Sequence, residues 1–232
     1  MRKVYIGYDS REDIAWQVAR HSIQRHLSGE IEVYPLKQPH LRELGLYSRA
    51  YDNMSSTEFS LTRFLTPFLA AHDGWTIFVD CDVLFTRDVN EIFEGLDRTK
   101  ALYCVQHDYT PANMVKMDGK EQTVYPRKNW SSFMIFNGGH PDVKKLVPEV
   151  VNAANPAWLH RFEWTTDDML GKLPLEWNFL EGEYQKPFNL PANIHFTNGG
   201  PWFENWQDVD FADEWRAERE LYLATISSPE PA

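Results

Sequence analysis

The apolar positions fall into short dense runs separated by helically spaced or polar stretches. Lys3-Val4-Tyr5-Ile6-Gly7-Tyr8 reads as a first strand. Ile14, Ala15, Val18, Ala19 and Ile23 then recur at helical spacing, with Asp9 or Ser10 placed to cap that helix and Gly29 to stop it. Ile31-Glu32-Val33-Tyr34-Pro35 is a second strand, and a right-handed crossover makes the two strands parallel neighbours. The Tyr8-Asp9 turn is therefore expected at the carboxyl end of a sheet, where open α/β folds bind ligands.

Residues 37–56 read as loop, and Ser55-x-x-Glu58 as a capping box. That box opens a helix bearing Phe59, Leu61, Phe64, Leu65, Phe68 and Leu69. Arg63 lies inside this apolar pattern and needs an anionic partner, either an internal carboxylate or a ligand. The run Trp75-Thr76-Ile77-Phe78-Val79-Asp80-Cys81-Asp82-Val83-Leu84-Phe85 begins like a strand buried on both faces. In an extended segment Asp80 and Asp82 point one way and Cys81 the other, so two acids at the end of a rigid strand form half a divalent-metal site. The chain supplies its own control: Asp208-Val209-Asp210 repeats the spacing with no strand before it, and reads as a solvated loop or helix start.

Further on, residues 86–95 make a short helix, 101–105 a strand, 106–130 a polar inserted loop or hairpin, and 131–136 an apolar strand ending in Asn137-Gly138-Gly139. Glycines at a strand end permit close backbone approach, by a ligand or within a plain turn. A helix over 142–151, a capped turn over 165–171 and a short apolar stretch at Leu175-Glu176-Trp177-Asn178-Phe179 follow. A last strand carries His195 into the turn Asn198-Gly199-Gly200. With two aspartates already posed, His195 is the nitrogen donor that completes a mixed O/N site. The tail from 210 to 226 is an amphipathic helix, with a frayed end over 227–232.

At 232 residues, 43% hydrophobic and 14% aromatic, the chain is globular and large enough for a substantial core. Residues 1–204 are expected to form one domain, with 205–232 a helical tail packed on it. A formal charge of −11 argues against nucleic-acid binding or a basic membrane-docking face. No apolar run approaches a membrane span, and Met1-Arg2-Lys3 leads straight into a strand, so a cytoplasmic address without a membrane anchor is expected. Cys81 and Cys104, both at strand ends, read as buried free thiols.

Four of these motifs, in this order, resemble the GT-A glycosyltransferases, most closely the glycogenin-like and bacterial galactosyltransferase group called family 8. They are Phe78-Val79-Asp80-Cys81-Asp82-Val83-Leu84; Phe136-Asn137-Gly138-Gly139; Asp167-Asp168-Met169-Leu170 with Leu175 and Trp177-Asn178-Phe179; and His195-Phe196 through Pro201-Trp202. The resemblance spans roughly residues 3–203. It implies an α/β GT-A fold, a central mixed, mostly parallel sheet flanked by helices. It further implies a retaining hexosyltransferase that takes a nucleotide-sugar donor, UDP-linked, with Mn2+ or Mg2+ at the pyrophosphate.

By position, Asp80, Asp82 and His195 would hold the metal. Tyr8, Asp9 and Arg11 would border the base and Asp80 the ribose, with Gly7, Cys81, Gly199 and Gly200 also lining the nucleotide-donor site. Asn137 and Gly138 would sit beside the sugar. Arg63, Asp167 and Asp168 would serve catalysis, Arg63 on the donor and the two acids at the anomeric carbon and sugar hydroxyls. The family's Asp-Gln-Asp is here Thr166-Asp167-Asp168, and its usual lysine near the glycine turn is absent from Asn198-Gly199-Gly200-Pro201. The acceptor, whether glycan, protein or small molecule, is not legible. A sugar-nucleotide nucleotidyltransferase and a catalytically silent nucleotide-sugar-binding protein of the same fold remain alternatives. Mixed carboxylate and imidazole ligation favours Mn2+ over Mg2+, which prefers oxygen.

Overall fold

The computed structural model describes residues 2–51, 56–108 and 126–227. Among the described residues nine strands form two sheets: β1 (Arg2–Gly7), β2 (Ile31–Leu36), β3 (Trp75–Val79), β4 (Val83–Phe85), β5 (Leu102–Cys104), β6 (Phe133–Asn137), β7 (Leu170–Lys172), β8 (Phe179–Leu180) and β9 (Asn193–His195). The larger sheet has the order β2-β1-β3-β6-β5-β7, and the smaller β4-β9-β8. In the larger sheet β1 runs parallel to β2 and β3, and β5 parallel to β7; β6 runs antiparallel to both its neighbours.

The helices are α1 (Asp13–His26), α2 (Gln38–Glu43), α3 (Thr66–Leu69), α4 (Pro148–Ala153), α5 (Pro156–His160) and α6 (Ala212–Ser227). The opening β1-α1-β2 unit is the parallel crossover expected from its periodicity. Asp9 accepts from Arg11 N and caps a 3-10 turn, Ser10–Glu12, that leads into α1. Prolines account for most departures from the expected elements. Within 37–56 the chain folds into α2, because Pro39 in a first turn has no intrahelical N–H to lose. The helix expected from residue 58 onward is a 3-10 turn, Thr62–Leu65, followed by the four residues of α3 around Pro67. Its proposed cap Ser55 lies outside the described residues, as does most of the loop expected over 106–130. The helix expected over 142–151 is likewise split, a 3-10 turn at Val143–Lys145 and then α4 beginning at Pro148.

The core lies on both faces of the larger sheet, with Val4, Ile6, Ile77, Phe78, Val79, Leu102, Phe133 to Phe136 and Phe64 fully or almost fully buried. A second cluster of Val18, Leu84, Phe179, Ile194, Phe196, Phe211 and Trp215 sits under the smaller sheet. It ties the tail helix α6 down beside α1, where buried Glu218 accepts from Arg25 Nη2 at 2.6 Å and contacts His21 Nδ1 at 2.7 Å. Cys81 and Cys104 are buried free thiols, as expected.

Candidate metal centre

The acid-bearing run is not one strand. β3 ends at Val79 and β4 begins at Val83, in the other sheet, so Asp80-Cys81-Asp82 is the link between the two layers. Asp80 N donates to Ser132 O at 2.9 Å, which fastens the start of the link to the residue before β6. At the other end Phe196 N donates to Asp82 O at 2.9 Å, and Val83 pairs with His195 across the antiparallel β4-β9 ladder. That pairing delivers the imidazole to the acids: His195 Nε2 stands 3.3 Å from Asp82 Oδ1. One ligand atom from each of Asp80, Asp82 and His195 lies within 4.8 Å of the others. Cys81 between the two acids is buried, and burial, then the negative charge of Glu12, push its thiol far up.

Arg63 is buried, 2.9 Å from Asp80 Oδ1, and donates to Ser131 O at 2.8 Å. Its guanidinium also lies over the rings of Phe59 and Phe78. Of the two readings open to this arginine, the structure shows the internal ion pair. Around it, Asp9 is fully buried at the end of β1 and takes a two-pronged ion pair from Arg11, at 2.9 and 2.7 Å, plus Glu58 N at 3.2 Å. Burial alone would raise the Asp9 carboxyl; the hydrogen bonds from Arg11 outweigh it and hold the group below the usual carboxylate range. Tyr8 gives its hydroxyl to Asp13 at 2.8 Å and its ring to Lys37 Nζ at 4.1 Å. Gly7 is required where it is, because a Cβ there would sit 2.5 Å from the Phe59 ring.

Glu12 was not singled out from the sequence. Three residues after Asp9 it has capping-box spacing, which ordinarily leaves a surface acid, but the side chain turns inward and is 2% exposed. Its Oε2 accepts from Trp202 Nε1 at 3.2 Å, and burial, followed by the charge of Asp82, pushes its carboxyl up to about 8. The Gly199-Gly200 turn follows β9 directly. Gly199 has φ 140°, and a Cβ on Gly200 would meet the Trp202 ring at 2.0 Å, so the turn packs its own tryptophans.

Beyond the metal cluster, His195 Nδ1 is 3.1 Å from Asn178 Oδ1, and Asn178 Nδ2 reaches Ser132 Oγ at 2.9 Å and His107 Nε2 at 3.0 Å. Burial, and then the neighbouring His195, push His107 down to about 3.

Four expected site residues lie outside the metal cluster. β6 runs antiparallel to β3, so Asn137 pairs with Trp75 at the start of β3, and the residues level with Asp80 are those preceding β6. Asn137 Nδ2 donates to Arg98 O and Lys100 O at 2.8 and 2.9 Å, and Gly138 N to Gly74 O at 2.8 Å. A Cβ on Gly138 would lie 2.6 Å from the His72 carbonyl carbon, so its glycine serves backbone packing. Asp167 and Asp168 lie in a 3-10 turn before β7, and Leu170 of β7 is level, through Leu102 and Phe136, with Thr76. Four residues of strand separate that level from Asp80, roughly 13 Å along the sheet. Asp167 is ion-paired with Arg127, and Asp168 offers its carbonyl to Lys100 Nζ at 2.6 Å. What replaces Asn137 and Gly138 near the cluster is Asn129, Ser131 and Ser132; Asn129 Nδ2 donates to Thr197 Oγ1, two residues past His195, at 3.3 Å.

A mixed sheet flanked by helices, with paired acids on the link out of a central strand, is the GT-A fold of glycosyltransferases. Among solved structures the chain is similar to the bifunctional glycosyltransferase WbbM (TM-score 0.66, 17% identity, 94% of this chain and 49% of that one). It is similar also to the glycosyltransferase GlyE of Streptococcus pneumoniae (TM-score 0.61, 16% identity, 97% and 62%). A third likeness is to the galactosyltransferase LgtC, solved with donor and acceptor sugar analogues (TM-score 0.57, 11% identity, 98% and 98%). The chain thus spans 49% and 62% of the length of the first two, and at these identities the likeness establishes the fold. No sequence-family model matches. The chain belongs to the family of Protein CDI of Arabidopsis thaliana, with which it is 50% identical over 224 residues, covering 95% of this chain and 86% of that one. Among the described residues no helix is long and apolar enough to cross a membrane.

Proposed function

We propose that the chain is a metal-dependent glycosyltransferase of the family 8 type, moving a hexose from a nucleotide sugar, UDP-linked, to an acceptor with retention of anomeric configuration. The observation that carries the reading is the Asp80, Asp82 and His195 cluster, formed at the carboxyl end of β3 from two sheets. The donor set fits a cation. Asp80 shares Arg63 and Asp9 takes Arg11, while Asp82 and Glu12 bring further acid beside them; burial first, and then the charge of Asp82, raise the Glu12 carboxyl. Two carboxylates and one imidazole suit Mn2+ better than Mg2+.

Such an ion, when bound, supplies Lewis-acid stabilisation to a diphosphate leaving group. The chain's own residues do the rest. Arg63 fixes Asp80 and adds buried positive charge beside the cluster. Tyr8, with Lys37 on its ring, and the Asp9-Arg11 pair form a rigid rim at the end of β1, placed to border the base. The Gly199-Gly200 turn, with Asn129 and Ser132 opposite, closes the other side. Asp167 and Asp168 lie outside the metal cluster in the turn before β7, where Asp167 pairs with Arg127, two residues before Asn129.

The test is release of nucleoside diphosphate from a panel of UDP- and GDP-sugars with sugar and peptide acceptors, with Mn2+ and with chelator. Turnover that needs Mn2+ and disappears in Asp82→Asn and His195→Ala supports the reading. Turnover unaffected by chelation, or retained by either variant, removes it.

A further inference from the structure

The hydrogen bonds behind His195 determine which of its nitrogens carries the proton. Ser132 Oγ donates its single proton to the carbonyl of Asn129 at 2.7 Å, a group that can only accept. Ser132 Oγ can therefore only accept from Asn178, 2.9 Å away, which places the Asn178 amide nitrogen on that side. The second amide proton goes to His107 Nε2 at 3.0 Å, leaving His107 to donate from Nδ1 to Tyr184 Oη at 3.0 Å. Asn178 Oδ1 is then the atom that faces His195 Nδ1 at 3.1 Å, and an oxygen so placed demands a proton from it. A neutral imidazole that spends its proton on Nδ1 has a bare Nε2, the nitrogen 3.3 Å from Asp82.

Resting on the metal reading above, we propose that Asn178 is a positioning residue that holds His195 in the Nδ1–H tautomer, so that the Nε2 lone pair is aimed at the cation held with Asp80 and Asp82. The arrangement suits the task. Asn178 is fully buried, and both its amide protons and its oxygen are used. Its segment is tied to β9 by Asn193 Nδ2, which donates to Trp177 O at 3.1 Å. Ser132 belongs to the same turn that anchors Asp80 N, so one side chain keeps two of the three ligands in register. Ligand histidines are held in this way through their second nitrogen, and losing the outer partner weakens metal binding by about 10–100-fold.

The test begins with the metal-free protein. In a 15N-histidine-labelled sample, with the His195→Gln spectrum identifying the signal, long-range 15N–1H correlation should show His195 protonated at Nδ1. Mn2+ titration, followed by electron paramagnetic resonance, should then give about 10–100-fold weaker binding for Asn178→Leu. Asn178→Asp, which still accepts the Nδ1 proton, should stay within about threefold of wild type. A His195 ring that is bare at Nδ1 in the wild-type protein overturns the proposal and leaves the metal reading standing. Wild-type Mn2+ affinity in Asn178→Leu, or loss in Asn178→Asp as large as in Asn178→Leu, overturns it also. A wild-type protein with the Nδ1–H tautomer and no Mn2+ binding fails the metal reading instead, and the positioning role falls with it.

Discussion

β3 and β6 lie side by side and antiparallel, and the two ends of that pair have opposite chemistry. At the end where β3 finishes, Asp80, Asp82 and His195 meet, and beside them Glu12 is raised to about 8, by burial first and then by the charge of Asp82. At the end where β3 starts, Asn137, Gly138, Asp168 and Lys100 spend their polar groups on backbone carbonyls and amides of the same fold. The first arrangement is electrostatically incomplete and calls for a ligand; the second is closed. A polar residue at a strand end is therefore uninformative until the direction of its strand is known.

The largest expected difference between the two ends lies in turnover and metal response. Asp82→Asn and His195→Ala should each lower turnover by about 10²-fold or more and abolish the Mn2+-induced rise in Tm. Asn137→Ala should leave both responses in place while lowering Tm, because two backbone carbonyls lose their donor. If Asn137→Ala abolishes the Mn2+ shift, the two ends are not independent and the contrast breaks.

Next in size is the pH response of the incomplete end. Glu12 has an ordinary value of 4.5 and a folded value of about 8, so between these the folded protein holds a proton that the unfolded chain has released. Stability from this group is present below 4.5 and is lost as pH rises toward 8. Glu12→Gln should abolish that loss. In urea unfolding at pH 9 without metal, the variant should exceed wild type by a few kcal/mol, with the gap closing toward pH 5. The sign is opposite for His107 and His160, both pushed down to about 3, chiefly by burial. Their contribution is complete above 6.5 and is lost as pH falls toward 3, so acid unfolding should be retained in Glu12→Gln. A flat difference between Glu12→Gln and wild type across pH 5–9 would show that burial beside Asp82 does not hold Glu12 protonated.

Smaller again is the cost of crowding the closed end. Gly138→Ala puts a Cβ against the His72 backbone at 2.6 Å, and backbone yields less readily than a side chain. About 1–3 kcal/mol of stability should be lost, with Mn2+ affinity unchanged. Equal stability in chemical denaturation would mean that the 72–74 turn shifts freely and that this end is looser than drawn.

How much of this the residues announce follows from the same contrast. The β1-α1-β2 unit was legible because period-2 and period-3.6 patterns alternate cleanly there. The Asp80/Asp82 pair was legible because an apolar strand leads into it, whereas Asp208 and Asp210, at identical spacing, stand exposed in a turn, Asp210 only 3.4 Å from Lys186. His195 could be joined to the aspartates only through the order of motifs, since the β4-β9 ladder that brings it there is non-local. The course of β6 was not legible. A buried strand reads the same in both directions, and the glycines after Asn137 drew the expected sugar contacts to the end away from the metal cluster. Glu12 was hidden by its capping-box spacing, and Asn178 by having its three partners at sequence separations of 17, 46 and 71.

The smallest expected effect is also the most discriminating. Asp167 matches, by position in the family motif, a polar residue beneath the anomeric carbon, yet here its side chain is 83% exposed and paired with Arg127. An exposed ion pair contributes about 0–1 kcal/mol, so Asp167→Asn should barely move stability. If the closed end takes no part in chemistry, turnover in Asp167→Asn should also stay within about threefold of wild type, far from the loss expected of Asp82→Asn. A collapse of turnover with unchanged Tm and unchanged Mn2+ affinity would instead require the turn before β7 to reach the metal end during the reaction. That result would leave the cation site intact and redraw the division between the two ends. Measuring kcat for the two variants side by side, at saturating Mn2+, decides it.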